Sequence, residues 1–164
     1  MIEILQSVIT NHILLAPVTA WLVAQILKWL INALVEKKFT LERLYGDGGM
    51  PSGHSATVTT LAAMCGWSCG YGSAIFAVSV IFAIIVMHDA TGVRREAGKH
   101  ATLIKQLADG FNAMFVEKDE QIKTEKLKAF IGHTPLQVIF GALLGCLVTT
   151  AYIFLFGIEY CCLI

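Results

Sequence analysis

The chain has 164 residues and a mass of 17.9 kDa, the size of one domain, taken as a single membrane-embedded unit over 1–164. Lys plus Arg is 12 and Asp plus Glu is 12, which excludes both a basic nucleic-acid surface and an acidic solvating tail. Hydrophobic residues are 56%, charged residues 15% and mean hydropathy is +0.69. A soluble domain has about 45–50% and about 25%, so the composition excludes a soluble or disordered chain and points to the lipid bilayer.

Residues 1–11 carry no Lys or Arg, and no removable signal peptide is expected. Residues 13–35 are apolar apart from Lys28, long enough for a ~30 Å hydrocarbon core. Residues 55–87 hold no Asp, Glu, Lys, Arg or His. As one helix this stretch would reach roughly 50 Å, too long for a single crossing. Cys69-Gly70-Tyr71-Gly72-Ser73 divides it as a tight turn, which predicts two short spans, 53–69 and 73–87. Residues 135–156 form a fourth span. Between the last two lies a polar stretch, 91–132. Within it, Ala101, Leu103, Ile104, Leu107, Ala108, Phe111 and Phe115 recur at helical spacing, predicting an amphipathic surface or interfacial helix over 100–115. The fold class is therefore an all-α polytopic membrane bundle of about four spans.

Charge placement supports that count. Three basic residues (Lys37, Lys38, Arg43) lie in the first loop and eight (Arg94, Arg95, Lys99, Lys105, Lys118, Lys123, Lys126, Lys128) in the long loop. Four spans put both loops on one side, and the excess of Lys and Arg predicts that side to be cytoplasmic, in a multi-pass cell-membrane protein. Gly66 with Gly70, and Gly141 with Gly145, are small residues at four-residue spacing that allow close helix packing in lipid. A homo-oligomer is compatible with the sequence but not specified by it. The five cysteines (Cys65, Cys69, Cys146, Cys161, Cys162) are odd in number and sit in or beside apolar runs, as packing residues rather than a disulfide framework.

Four spans also bring three polar blocks to one membrane face: Gly48-Gly49-Met50-Pro51-Ser52-Gly53-His54-Ser55 before the second span, His88 to Lys99 after the third, and Gly132-His133-Thr134-Pro135-Leu136-Gln137 before the fourth. The physics of these blocks suits phosphate. Helix N-termini offer unpaired N–H groups and partial positive charge. Glycines beside Ser52 let backbone approach a ligand. Arg94, Arg95, Lys99 and Lys128 can neutralise phosphate oxygens, and Lys28 either snorkels to the interface or joins them. Two imidazoles can divide hydrolysis between nucleophile and acid–base. With cations holding the charge, no metal or other cofactor is required. Asp89 is either a functional acid or a structural ion-pair partner.

Pro51-Ser52-Gly53-His54, with Asp89-Ala90-Thr91-Gly92-Val93-Arg94-Arg95 and Gly132-His133-Thr134-Pro135-Leu136, resembles the divergent, short bacterial and plant branch of the type-2 phosphatidic acid phosphatase and vanadium-haloperoxidase superfamily. The resemblance implies that His54 is the acid–base residue and His133 the nucleophile that forms a phosphohistidine. It also implies that Ser52 and Gly53 bind phosphate. The superfamily's acid four residues after the nucleophile is here Gln137. The Arg-Pro pair of its first signature is missing, and the Arg before the nucleophile is replaced at best by Lys128. Thr134-Pro135-Leu136-Gln137 also reads as a helix capping box.

The expected function is hydrolysis of a phosphomonoester or pyrophosphate on a lipid or isoprenoid. Two rivals stand beside it. One is a lipid-headgroup or anion-binding, or transport-associated, protein that keeps the pocket without chemistry. The other is a metal site of His54, His88, Asp89 and His133, whose spacings form no local metal motif.

Overall fold

The computed structural model describes residues 1–36, 49–115 and 133–160, and of residues 35–36, 93–95 and 115 the backbone alone. Six helices are present in these residues: α1 (Ile2–Ile9), α2 (His12–Glu36), α3 (Gly53–Cys69), α4 (Ala74–Thr91), α5 (Val93–Phe115) and α6 (Pro135–Phe156). Three apolar stretches, His12–Leu34, the one that begins at Ala74, and Pro135–Phe156, are long enough to cross a bilayer. The fold is an all-α membrane bundle.

The helix ends follow from local chemistry. Asn11 Oδ1 accepts the N–H groups of Ile13 and Leu14 and starts α2. Ser52 and Ser73 cap α3 and α4 by accepting from Ser55 N–H and Phe76 N–H. Gly70, at φ 87°, ends α3 in a conformation that disfavours a side chain. The turn between the two short spans is therefore where the sequence places it. Helix α4 runs four residues past the expected end at Met87, to Thr91, because nothing before Gly92 breaks it. Helix α5 starts at Val93, not His100. The short α1 was not expected from sequence. It exposes Ile2, Ile4, Leu5, Val8 and Ile9.

Contacts at both ends fix the directions of the spans. Ser52 N–H donates to Gln137 O at 3.0 Å, and Trp67 Nε1–H donates to Ile158 O at 2.9 Å. Thus α3 and α6 start together and end together. His12, at the start of α2, meets Tyr152 and Phe156 near the end of α6. His133 N–H donates to Ala90 O at 2.9 Å, placing the end of α4 beside the start of α6. Helices α2, α3, α4 and α6 therefore alternate in direction. The 17-residue α3, about 25 Å long, is the fourth crossing and lies innermost. The buried cluster Ala20, Ala24 and Ala56 packs α2 on α3, with Leu144 and Val148 of α6 against it.

Large apolar side chains of α2, α4 and α6 face outward: Leu22, Ile26, Val78, Ile85, Leu147 and Phe154 are exposed. That inversion suits lipid as the solvent. In α5, Ala101 and Ala108 are buried, while Leu103, Ile104, Leu107 and Phe111 are exposed. The expected apolar stripe thus turns its small residues inward and its large ones outward, as an interfacial helix does.

The tightest contact is α6 on α3. A Cβ at Gly141 would lie 2.4 Å from Ser52 O, and one at Gly145 would lie 2.7 Å from Ala56 O. Thr60 Oγ1 closes the seam by donating to Gly145 O at 3.1 Å. By contrast a Cβ at Gly110 meets nothing within 4 Å. Gly141→Ala is expected to lower stability by about 1–3 kcal/mol, the usual penalty for overpacking. Gly110→Ala should raise it by roughly 0.5–1 kcal/mol. Thermal unfolding in detergent checks both. Single cysteines at Tyr71 and Thr134 should react with a membrane-impermeant maleimide from opposite sides of the bilayer.

Candidate functional site

The α3–α6 seam sets two histidines side by side. His54 is the second residue of α3, and His133 stands two residues before α6. Their ring centroids are 5.9 Å apart at an interplanar angle of 60°. His133 is 2% exposed, and its backbone is tied to Ala90 of α4. Residues 79 positions apart in sequence thus face each other where α3, α4 and α6 meet.

Both expected readings of Gln137 hold at once. Thr134 Oγ1 accepts from Gln137 N–H at 3.4 Å, and Gln137 Oε1 accepts from Thr134 N–H at 2.9 Å, completing a capping box. The same Oε1 lies 3.3 Å from His133 Nδ1. Because the backbone N–H requires an oxygen at that position, a hydrogen bond from the ring is made by Nδ1–H, and in the neutral ring Nε2 is then the nitrogen with the lone pair. The amide selects the tautomer as a carboxylate would but supplies no negative charge to an imidazolium.

The loop before α3 is held from below by α2. Lys28 is 2% exposed, so it is not snorkelled into water. A Cβ placed at Gly53 would lie 3.7 Å from Lys28 Nζ and 3.4 Å from Trp21 Cδ1, and one at Gly49 would lie 3.6 Å from Lys28 Cδ. Gly49 has φ 107°, and the Met50–Pro51 peptide is cis. A buried ammonium therefore stands at the N-terminus of α3, where N–H groups and the helix dipole already concentrate positive potential.

Ser52 is 0% exposed. Its Oγ accepts from Ser55 N–H at 3.3 Å and Ser55 O–H at 3.0 Å. The structure thus gives Ser52 a capping part that orients Gly53 and His54. Asp89 is half-buried in the last turn of α4, next to the Ala90 carbonyl that holds His133. Lys99 departs from expectation. Its ammonium lies 2.5 Å from Glu96 Oε1 on an exposed turn of α5, because three-residue spacing puts the pair one turn apart. The side chains of Arg94 and Arg95, in the first turn of α5, and all of Lys128 lie outside the described residues. Among the described residues no three His, Cys, Asp or Glu converge as metal ligands, so the reading of His54, His88, Asp89 and His133 as a metal site has no geometric support. The groove of about 640 Å³ lined by Trp67, Tyr71, Thr149 and Ile153 opens at the other end of α3 and α6.

Two neighbours of this centre were not singled out from sequence, Trp21 and Gln25. The signal was present: Gln25 is a polar residue inside a span, three residues from Lys28 and on its face.

The description of the divergent PAP2 family matches residues 9–148. The chain belongs to this family. The matched region takes in Lys28, the His54 loop, Asp89, His133 and Gln137. The chain is also 42% identical over 156 residues to the uncharacterized membrane protein YuiD of Bacillus subtilis (strain 168), covering 92% of this chain and 99% of that one. No solved structure matches.

Gln137→Leu removes the side-chain half of the capping box and the partner of His133 Nδ1. It should cost about 1–2 kcal/mol of stability by the scale of helix caps. Gln137→Glu keeps both contacts and should unfold within about 0.5 kcal/mol of the parent at neutral pH. Denaturation of the two variants in detergent separates these outcomes.

Proposed function

We propose that this divergent PAP2 protein hydrolyses the phosphate ester or pyrophosphate of an amphiphile, a lipid or isoprenoid phosphate, through a phosphohistidine. The observation that carries the proposal is the 5.9 Å pairing of the His54 and His133 rings beside a buried lysine and a helix N-terminus. His133 Nε2, the nitrogen left basic by Gln137, attacks phosphorus, and the bond from phosphorus to the leaving oxygen breaks. His54 in its protonated form gives that oxygen its proton and then, as neutral imidazole, takes a proton from the water that cleaves the phosphohistidine. Lys28 and the first-turn N–H groups of α3 at Gly53 and His54 hold the phosphate oxygens. Asp89 orients the polar face from α4, and Arg94 and Arg95, by their charge, are further phosphate-binding residues of this reading. These cations carry the developing charge, so the reaction needs no metal.

The histidine pair lies at the end of the bundle where α2 ends and α6 begins, and the two sequence stretches between spans on that side carry 11 of the 12 basic residues, which supports a cytoplasmic face. The bundle's lipid-facing exterior suits a substrate that arrives through the bilayer. A second reading, binding without turnover, is favoured by Gln137: an amide stabilises an imidazolium less than a carboxylate does.

Phosphate release from short-chain phosphatidate and from isoprenyl phosphates by protein in detergent tests the proposal. His133→Ala should abolish release. His54→Ala should reduce it by about 10²–10⁴-fold. Gln137→Glu should increase it. Release that is unchanged in both histidine variants contradicts the assignment, and tight phosphate binding without release supports the second reading.

A further inference from the structure

Among the described residues, Gln25 Oε1 is a buried side-chain oxygen with no hydrogen-bond partner. Gln25 is 8% exposed and lies on α2, a membrane-spanning helix. An unmatched carbonyl oxygen is costly in a protein interior. Methionine has nearly the same length and volume and would avoid the cost.

The position of this oxygen says what it is for. At 100° per residue, Trp21, Gln25 and Lys28 fall within an arc of about 60° on α2. Trp21 and Lys28 both reach Gly53 at the start of α3. Along the axis of α2 Gln25 stands between them, one turn from each and about 40° round from Trp21. Side chains on a helix lean toward its N-terminus, here away from the polar loops, so Gln25 sits on the bilayer side of the Lys28 ammonium.

The Lys28 ammonium and the first-turn N–H groups of α3 are donors suited to ionised phosphate oxygens. Gln25 Oε1 adds an acceptor, and an acceptor discriminates for a ligand with a hydrogen to give. We propose that Gln25 is a ligand-binding residue of this centre, whose Oε1 accepts a hydrogen bond from an O–H of the bound phosphate compound. The O–H has two chemical sources, a protonated phosphate oxygen or an alcohol on the lipid next to the phosphate. The inference rests on the phosphate-binding reading of the site above and adds to it the hydrogen-bonding character of the ligand.

The test is calorimetric titration of the protein in maltoside micelles with 1-hexanoylglycerol 3-phosphate and with its 2-deoxy analogue. Wild type should bind at least the hydroxylated compound. Gln25→Met should weaken that binding about 5–10-fold, the loss of one hydrogen bond, while unfolding at the same or a higher temperature without ligand. Gln25→Asn, which withdraws the amide by one methylene, should weaken binding similarly and stands in should the methionine variant not fold. A loss shared by both compounds identifies the phosphate O–H as donor, and a loss confined to the hydroxylated compound identifies the alcohol. Affinities within twofold of wild type in both variants overturn the inference while leaving the phosphate site in place. Wild type that binds neither compound overturns the phosphate reading and the inference with it.

Discussion

The close approach of α6 to α3 is the constraint on which the rest depends. At Gly141 and Gly145 the α6 backbone lies directly on the carbonyls of Ser52 and Ala56. In lipid no hydrophobic force draws helices together, and packing of small residues with interhelical hydrogen bonds must do so. The seam therefore aligns two helix N-termini as well as joining two helices. Ser52 N–H donates to Gln137 O at that point. Ser52 caps α3, Thr134 caps α6, and the two histidines follow from those caps: His54 two residues after one, His133 immediately before the other. Fold and candidate chemistry share the same few residues.

Much of this was legible in the sequence because the signals were local. The span 53–69 was bounded by the apolar stretch and the Cys69–Ser73 turn, and the structure gives Gly53–Cys69. The capping box at Thr134 and Gln137 formed as written. The convergence of His54 and His133 needed only a count of spans and the placement of charge. What was not legible depended on packing. The glycines of α6 could be seen as small, but not that they rest on the loop that positions His54. Gln25 left no mark on a pattern read for charge, since one neutral amide barely changes the hydropathy of a 23-residue span. Its importance appears only when the stripe of Trp21, Gln25 and Lys28 is set against Gly53. The pairing of Lys99 with Glu96 could have been read from their spacing and was outweighed by the expectation of a shared cationic cluster.

The centre combines a buried lysine, two imidazoles, the Asp89 carboxyl at the end of α4 and the Gln137 amide. Gln137 orients His133 without charge. Its oxygen makes the cap and the histidine contact with no charge to compensate.

The most direct test of the account is the proximity of the two rings. Protein with isotope-labelled histidine and tyrosine, reconstituted in bilayers, can be examined by solid-state NMR for through-space correlation between ring carbons. His12 and Tyr152 at the opposite end of the bundle supply an internal standard, since their centroids are also 5.9 Å apart. The account expects a His54–His133 correlation of comparable strength, removed by either His→Ala substitution. A visible His12–Tyr152 correlation with none between His54 and His133 would contradict it.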